Sequence, residues 1–101
     1  MRKRILEQAK LWLVQRQFQE AECMLRRATA KDPTNYEALN LLGVSLEMKG
    51  LLTEAAQFYR AALSFGPSYV PAQRNLHRAT RWAYDASGLA ANLKPGPDTE
   101  A

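Results

Sequence analysis

The amino-acid sequence predicts an all-α fold, a solenoid of antiparallel helical hairpins with a helix capping its C-terminal end. Three observations carry that expectation. Apolar residues recur at steps of three and four along successive stretches, which places them on one face of each helix. Asp32-Pro33, Lys49-Gly50 and Gly66-Pro67 interrupt the pattern where short helix–helix turns are needed. The whole pattern then returns with a period of about 34 residues.

The pattern is clearest between Asn35 and Pro67. Leu39, Leu42, Gly43 and Leu46 mark one helix, and Leu52, Ala55, Ala56, Tyr59, Ala62 and Leu63 mark the next. Gly50 falls just past the first of these, where a left-handed residue ends a helix at little steric cost. Pro67 stops the second, because the residue before a proline is pushed out of helical geometry. Gly43, Ala55 and Ala62 are small where the two helices must come close. Moved back by one period, Pro67 falls on Pro33, Ala62 on Ala28, Ala55 on Ala21 and Glu54 on Glu20. Leu52 falls on Phe18, Leu46 on Trp12, Gly43 on Ala9 and Leu39 on Ile5. Each pair is identical or alike in size and polarity. This arrangement resembles the tetratricopeptide repeat family over residues 2–69. The resemblance implies a right-handed superhelix of stacked hairpins, with repeats at 2–35 and 36–69. The sequence departs from the family at Gln8, where leucine is usual, and at Arg16, where glycine is usual.

Taken in order, the first helix is expected from Arg2 to Gln15, with Ile5, Ala9 and Trp12 inward and Leu6 and Leu13 on the adjoining face. The second is expected over Phe18–Lys31 on Ala21, Leu25 and Ala28. Arg26, Arg27 and Lys31 lie toward its C-terminal end, where cations suit the helix dipole. Asp32-Pro33 turns the chain, and Thr34 or Asn35 caps a third helix over Tyr36–Met48. Thr53 is expected to cap the fourth, which reaches Phe65. Val70-Pro71 opens a fifth, since proline is tolerated in the first turn, and this helix runs to Ala86. In it Ala72 and Leu76 repeat Ala38 and Leu42, but Gln73, His77 and Thr80 replace Leu39, Gly43 and Leu46. A helix with one apolar and one polar face is what the end of a solenoid requires. Residues 70–86 are therefore read as the cap of a domain spanning 1–88. The tail, residues 89–101, is rich in proline and poor in large apolar residues, and disorder is expected beyond Lys94.

A chain of 101 residues has room for one small domain, and an apolar fraction of 47% is that of a globular protein. A formal charge of +4 favours acidic partners over basic ones. The single cysteine, Cys23, cannot form an internal disulfide, so the fold owes nothing to an oxidising compartment. The basic N-terminal stretch is interrupted by Gln8, Lys10 and Gln15 and is not a signal peptide. No apolar run approaches the length of a membrane span. These features lead to the expectation of a cytoplasmic protein without membrane contact. Met1 and the polar tail read as a complete chain or a natural end.

No glycine-rich phosphate loop, paired Cys-x-x-Cys, His-Glu-x-x-His or Gly-x-Ser-x-Gly motif occurs. His77 is the only histidine and has no companions with which to hold zinc or form a triad. Neither catalysis nor a cofactor or metal is expected. The family resemblance implies instead that the first helix of each hairpin lines a concave groove for peptides or helices. That groove would show Lys3, Leu6, Lys10, Leu13 and Val14 from the first helix. It would show Glu37, Asn40, Leu41, Val44, Glu47 and Met48 from the third, and Arg74, Arg78, Arg81 and Trp82 from the cap.

Arg74, Arg78 and Arg81 share one helix face by their spacing. They either grip an anionic ligand through paired hydrogen bonds or keep the cap soluble. Leu6, Leu13, Val14, Leu41, Val44 and Met48 offer an apolar floor, although Leu13 and Val14 suit packing with the next helix equally well. Some family members clamp the carboxylate of chaperone tails. Here the matching positions hold Leu6, Lys10, Leu41, Pro71 and Asn75, so chaperone-tail binding is not expected. The expected function is a non-catalytic adaptor or scaffold that binds a peptide or helix of another protein. The alternative is a self-associating unit stacked through an exposed N-terminal face that carries Ile5 and Trp12. Nucleic acid is disfavoured, because aromatic residues are not interleaved with the basic ones as a stacking platform needs.

Overall fold

The apolar periodicity resolves into five helices: α1 (Arg2–Val14), α2 (Phe18–Lys31), α3 (Tyr36–Met48), α4 (Leu52–Phe65) and α5 (Val70–Ser87). The computed structural model describes the backbone of residues 2–87 and the side chains of residues 3–81. The tail expected at 89–101 and the side chain of Trp82 lie outside the described residues. Among the described residues there is no strand.

Both hairpins turn by the same device. After α3, the Leu51 N–H donates to the Leu46 carbonyl at 2.9 Å and the Gly50 N–H to the Glu47 carbonyl at 2.9 Å, with Gly50 at φ 85°. This satisfies the last carbonyls of the helix through a left-handed residue. After α1, the Gln17 N–H donates to the Trp12 carbonyl at 2.8 Å and the Arg16 N–H to the Leu13 carbonyl at 3.0 Å, with Arg16 at φ 62°. Arg16 thus occupies a left-handed position where glycine carries no Cβ penalty. The tight turn also corrects the expected cap of α4. Leu51 is the N-cap, with no side-chain cap bond, and Thr53 lies inside the helix. Asn35 caps α3, accepting from the Ala38 N–H at 3.2 Å, whereas the Thr34 hydroxyl donates to Asp32 at 2.9 Å.

Within the second hairpin, α3 and α4 meet at Gly43. A Cβ added there would lie 2.5 Å from Cε1 of Tyr59 and 3.1 Å from the Ala55 carbonyl oxygen. Tyr59 is fully buried at this contact, beside Ala55, Ala56 and Leu46. The first hairpin fills the same space differently, with Ala9 packed in one cluster with Leu25. The larger residue on α1 is matched by a smaller one on α2, so the two hairpins are packed by complementary pairs.

α1 corrects the sequence reading by one residue. Leu6 and Leu13, expected on an adjoining face, are each only 5% exposed, with Ala9 between them. Ile5 and Trp12 are half-buried. The reason is that α1 has two neighbours, α2 and α3, so its buried arc is wider than one contact requires.

Each helix packs on its sequence neighbour, and α1 also approaches α3, as α3 approaches α5. α2 and α4 do not approach one another at backbone level among the described residues. A stack that is tight along its first helices and open along its second helices curves toward the first. α1, α3 and α5 therefore line the concave side.

Two stability outcomes follow from these contacts. Gly43→Ala is expected to destabilise the fold by about 1–3 kcal/mol, because Tyr59 must leave its packed position. Arg16→Gly is expected to raise stability by about 0.5–1 kcal/mol, the relief of a left-handed L-residue less the extra chain entropy of glycine. Urea unfolding of each variant beside the parent checks both signs.

Candidate functional site: the concave face of the first helices

The concave face is built from two lateral junctions of opposite character. Between α1 and α3 the junction is apolar. Leu41 and Val44 pack, half-buried, against the cluster that contains Leu6, Leu13, Ala38 and Leu42. Between α3 and α5 the junction is polar. The Asn75 Nδ2 donates to Asn40 Oδ1 at 2.9 Å, and Arg78 Nη2 donates to Asn75 Oδ1 at 2.8 Å. Arg78 grips Glu47 with two bonds, Nε to Oε2 at 2.7 Å and Nη2 to Oε1 at 2.9 Å. The Tyr59 hydroxyl, reaching out from the core, donates to Glu47 Oε1 at 2.6 Å.

The charges in this network hold one another in place. Burial pushes the Glu47 carboxyl up, but the Arg78 guanidinium and the Tyr59 hydroxyl outweigh it and hold the group below the usual carboxylate range. Burial first, then the neighbouring Glu47 carboxylate, raises the Tyr59 hydroxyl well above the ordinary tyrosine range. Hydrogen bonding to Glu47 raises Arg78. A second carboxylate pins the other hairpin: Lys49 Nζ lies 2.5 Å and Arg26 Nε 2.8 Å from Glu22. The bond from Lys49 is the main cause of the lowered Glu22 pKa.

These contacts revise the expected groove. Arg78 and Glu47 are committed to each other, and Asn40, only 4% exposed, is committed to Asn75. All three thus have hydrogen-bond partners within the fold. Leu6 and Leu13 belong to the core rather than to an open floor. Lys3, Lys10, Glu37, Met48, Val14, Arg74 and Arg81 are exposed, and Leu41 and Val44 remain half-exposed between them. Of the three arginines that share a face, Arg74 and Arg81 form no ion pair with a described residue, and Arg78 is neutralised. A cavity of about 420 Å³ opens between α1 and α3, lined by Lys3, Leu6, Glu7, Lys10 and Glu37. Glu7 was missing from the sequence reading; its position one residue beyond Leu6 on the same turn is the signal that would have found it. Its ion pair with Lys10, at 3.3 Å, is open to water and holds neither side chain firmly.

The family model described as tetratricopeptide repeat matches residues 6–70. The chain belongs to the tetratricopeptide repeat family. It is 34% identical over 71 residues to human tetratricopeptide repeat protein 7A, a match that takes in 70% of this chain and 8% of that protein. The chain thus spans less than a tenth of the length of this curated relative. Tetratricopeptide repeats generally mediate protein–protein interaction. Among the described residues, no helix is long and apolar enough to cross a membrane.

The two lowered carboxyls set the acid limb of stability. Each has a folded-state pKa below its ordinary value of 4.5, so its contribution is complete above 4.5 and is lost as pH falls through the folded value. The urea midpoint is expected to hold steady down to that range and then drop. Glu47→Gln is expected to flatten the drop; an acid limb unchanged in that variant would show that Glu47 is not its source.

Proposed function

We propose that this chain is a non-catalytic adaptor or scaffold module that binds a segment of a partner protein on the concave face, at the cavity between α1 and α3. The observation that carries the reading is the composition of that cavity. Lys3, Glu7 and Lys10 of α1 face Glu37 of α3 across a cavity whose floor is the buried Leu6. Such a site offers charged partners for both signs of side chain and for peptide backbone, with an apolar contact beneath. Arg74 and Arg81 extend the positive side toward α5, so a segment that carries carboxylates toward its α5 end fits best.

α5 completes this surface. Its Gln73 and His77 are exposed and Thr80 is half-buried, the Thr80 hydroxyl bonding back to the Leu76 carbonyl at 2.8 Å. We read this polar face as that of a capping helix, with repeats at 2–35 and 36–69 beneath it. An exposed free thiol at Cys23 suits a reducing compartment, and a cytoplasmic site of action belongs to the same reading. Self-stacking through Ile5 and Trp12 is less well supported. Trp12 packs against the core of its own hairpin, and Ile5 lies beside Met24 and Ala28 of α2.

Peptides selected from a displayed random library on the full chain provide the test. Their affinity is expected to fall about tenfold or more in Lys3→Glu/Lys10→Glu. Charge reversal on the far side of the molecule should leave it unchanged. Selected peptides that bind parent and variant alike would place the site elsewhere.

A further inference from the structure

Two tyrosines meet where α3 and α5 begin. The Tyr36 and Tyr69 rings lie 4.9 Å apart between centroids, with their planes at 59°. Gly66 makes room for the first of them, since a Cβ added there would lie 2.8 Å from Cγ of Tyr36. Tyr36 is thus held against backbone, yet it keeps 37% of its surface exposed. Tyr69 is half-buried against the cluster of Leu39, Ala62 and Ala72.

Glu37, the next residue after Tyr36, is exposed and forms no ion pair with a described residue. Its charge reaches the aromatic pair: burial first, then the Glu37 carboxylate, raises the Tyr69 hydroxyl above the ordinary tyrosine range. Glu37 stands in the first turn of α3, where its full negative charge outweighs the partial positive charge of the helix end. Of the cations across the cavity, Lys10 is drawn to Glu7, and Lys3 stays outside ion-pair distance of Glu37.

The fold shows elsewhere what such a set of groups holds. Cζ of Arg26 lies 5.7 Å from the centroid of the Phe58 ring, while its Nε donates to Glu22 at 2.8 Å. One guanidinium there uses an aromatic face and a carboxylate together. It can do so because it is planar, weakly hydrated and forked. Tyr36, Tyr69 and Glu37 offer the same two kinds of group, and no cation of a described residue stacks on either ring.

We propose that this edge captures an arginine side chain of the bound partner segment, its guanidinium laid on the exposed Tyr36 ring and paired with Glu37. This capture rests on the concave site proposed above, with which it shares Glu37, and it names the side chain which that end of the site selects. Charge complementarity chooses the occupant. A lysine ammonium is compact and strongly hydrated, so it gains less from the ring. A proline would use the tyrosines and leave the carboxylate unpaired.

The probe is the blocked tripeptide acetyl-Gly-Arg-Gly-amide, too short to span the cavity, so its binding is read separately from that of a whole segment. NMR of the Tyr36 and Tyr69 ring signals in the full chain reports it. The arginine peptide is expected to shift both saturably, and the lysine analogue to bind about threefold or more weakly. Glu37→Gln, an exposed change with unaltered thermal unfolding, is expected to weaken the arginine peptide about fivefold or more. Glu54→Gln, the same change in the first turn of α4, should leave it unaltered. The proposal is overturned if no saturable shift occurs, if lysine binds as well as arginine, or if Glu37→Gln keeps the affinity. A triproline peptide that moves the same signals at lower concentration than the arginine peptide would assign the edge to a proline-rich segment instead. A dimer in sedimentation that Glu37→Gln abolishes would assign it to an arginine of a second copy. Library peptides that lose affinity in Lys3→Glu/Lys10→Glu, beside an arginine probe that does not bind, would leave the concave site standing and remove the arginine capture alone.

Discussion

The contact between Gly43 and Tyr59 orders more of this molecule than any other. Because position 43 has no side chain, the tyrosine ring can approach α3 closely and is wholly buried. Its hydroxyl then emerges at the one place where Glu47 can accept from it. Glu47, so held, takes both bonds from Arg78, and Arg78 in turn fixes Asn75. The placement of α5 over the second hairpin therefore depends on a missing Cβ two helices away. Partial burial strengthens these bonds, because each group gives up water only where a charged or polar partner replaces it.

The two hairpins solve one packing problem with different residues. Ala9 with Leu25 and Gly43 with Tyr59 fill equivalent spaces, yet only the second pair sends a polar atom toward the concave face. This difference propagates sideways. The α1–α3 junction remains apolar through Leu6, Leu13, Leu41 and Val44, while the α3–α5 junction becomes a chain of hydrogen bonds. The concave surface is consequently uneven: a charged cavity at one end, a self-satisfied network in the middle, and beyond it two arginines that form no ion pair with a described residue.

Charge is distributed with the same logic. Arg78 and Lys49, whose carboxylate partners stand on another helix, serve to join elements. The cations on the concave rim and at the N-terminal end have no such partners among the described residues, and these give the chain its positive character toward other molecules. A repeat protein meets its surroundings through the faces its own repeats leave uncovered, and here those faces carry the unspent charge.

Much of this was legible in the sequence because it rests on local or one-period relations. The helices follow from apolar spacing, the turns from Gly50 and Pro67, the Asn35 cap from its side chain, and the close approach from Gly43, each within a few residues of its cause. Arg16 was legible as a departure, and its left-handed backbone shows why glycine is usual there. The site was less legible. Leu6 and Leu13 carry the same spacing whether they face a groove or a neighbouring helix, and only the lateral contact of α1 with α3 buries them. Arg78 has the same chemistry whether free or paired, and only the stacking of α5 on α3 brings it to Glu47. The amino-acid order by itself determined the elements, their period and their inward faces, since those depend on residues close along the chain. Which polar groups remain free to meet a partner was decided by the tertiary structure alone, because it depends on what stands opposite each of them across the stack.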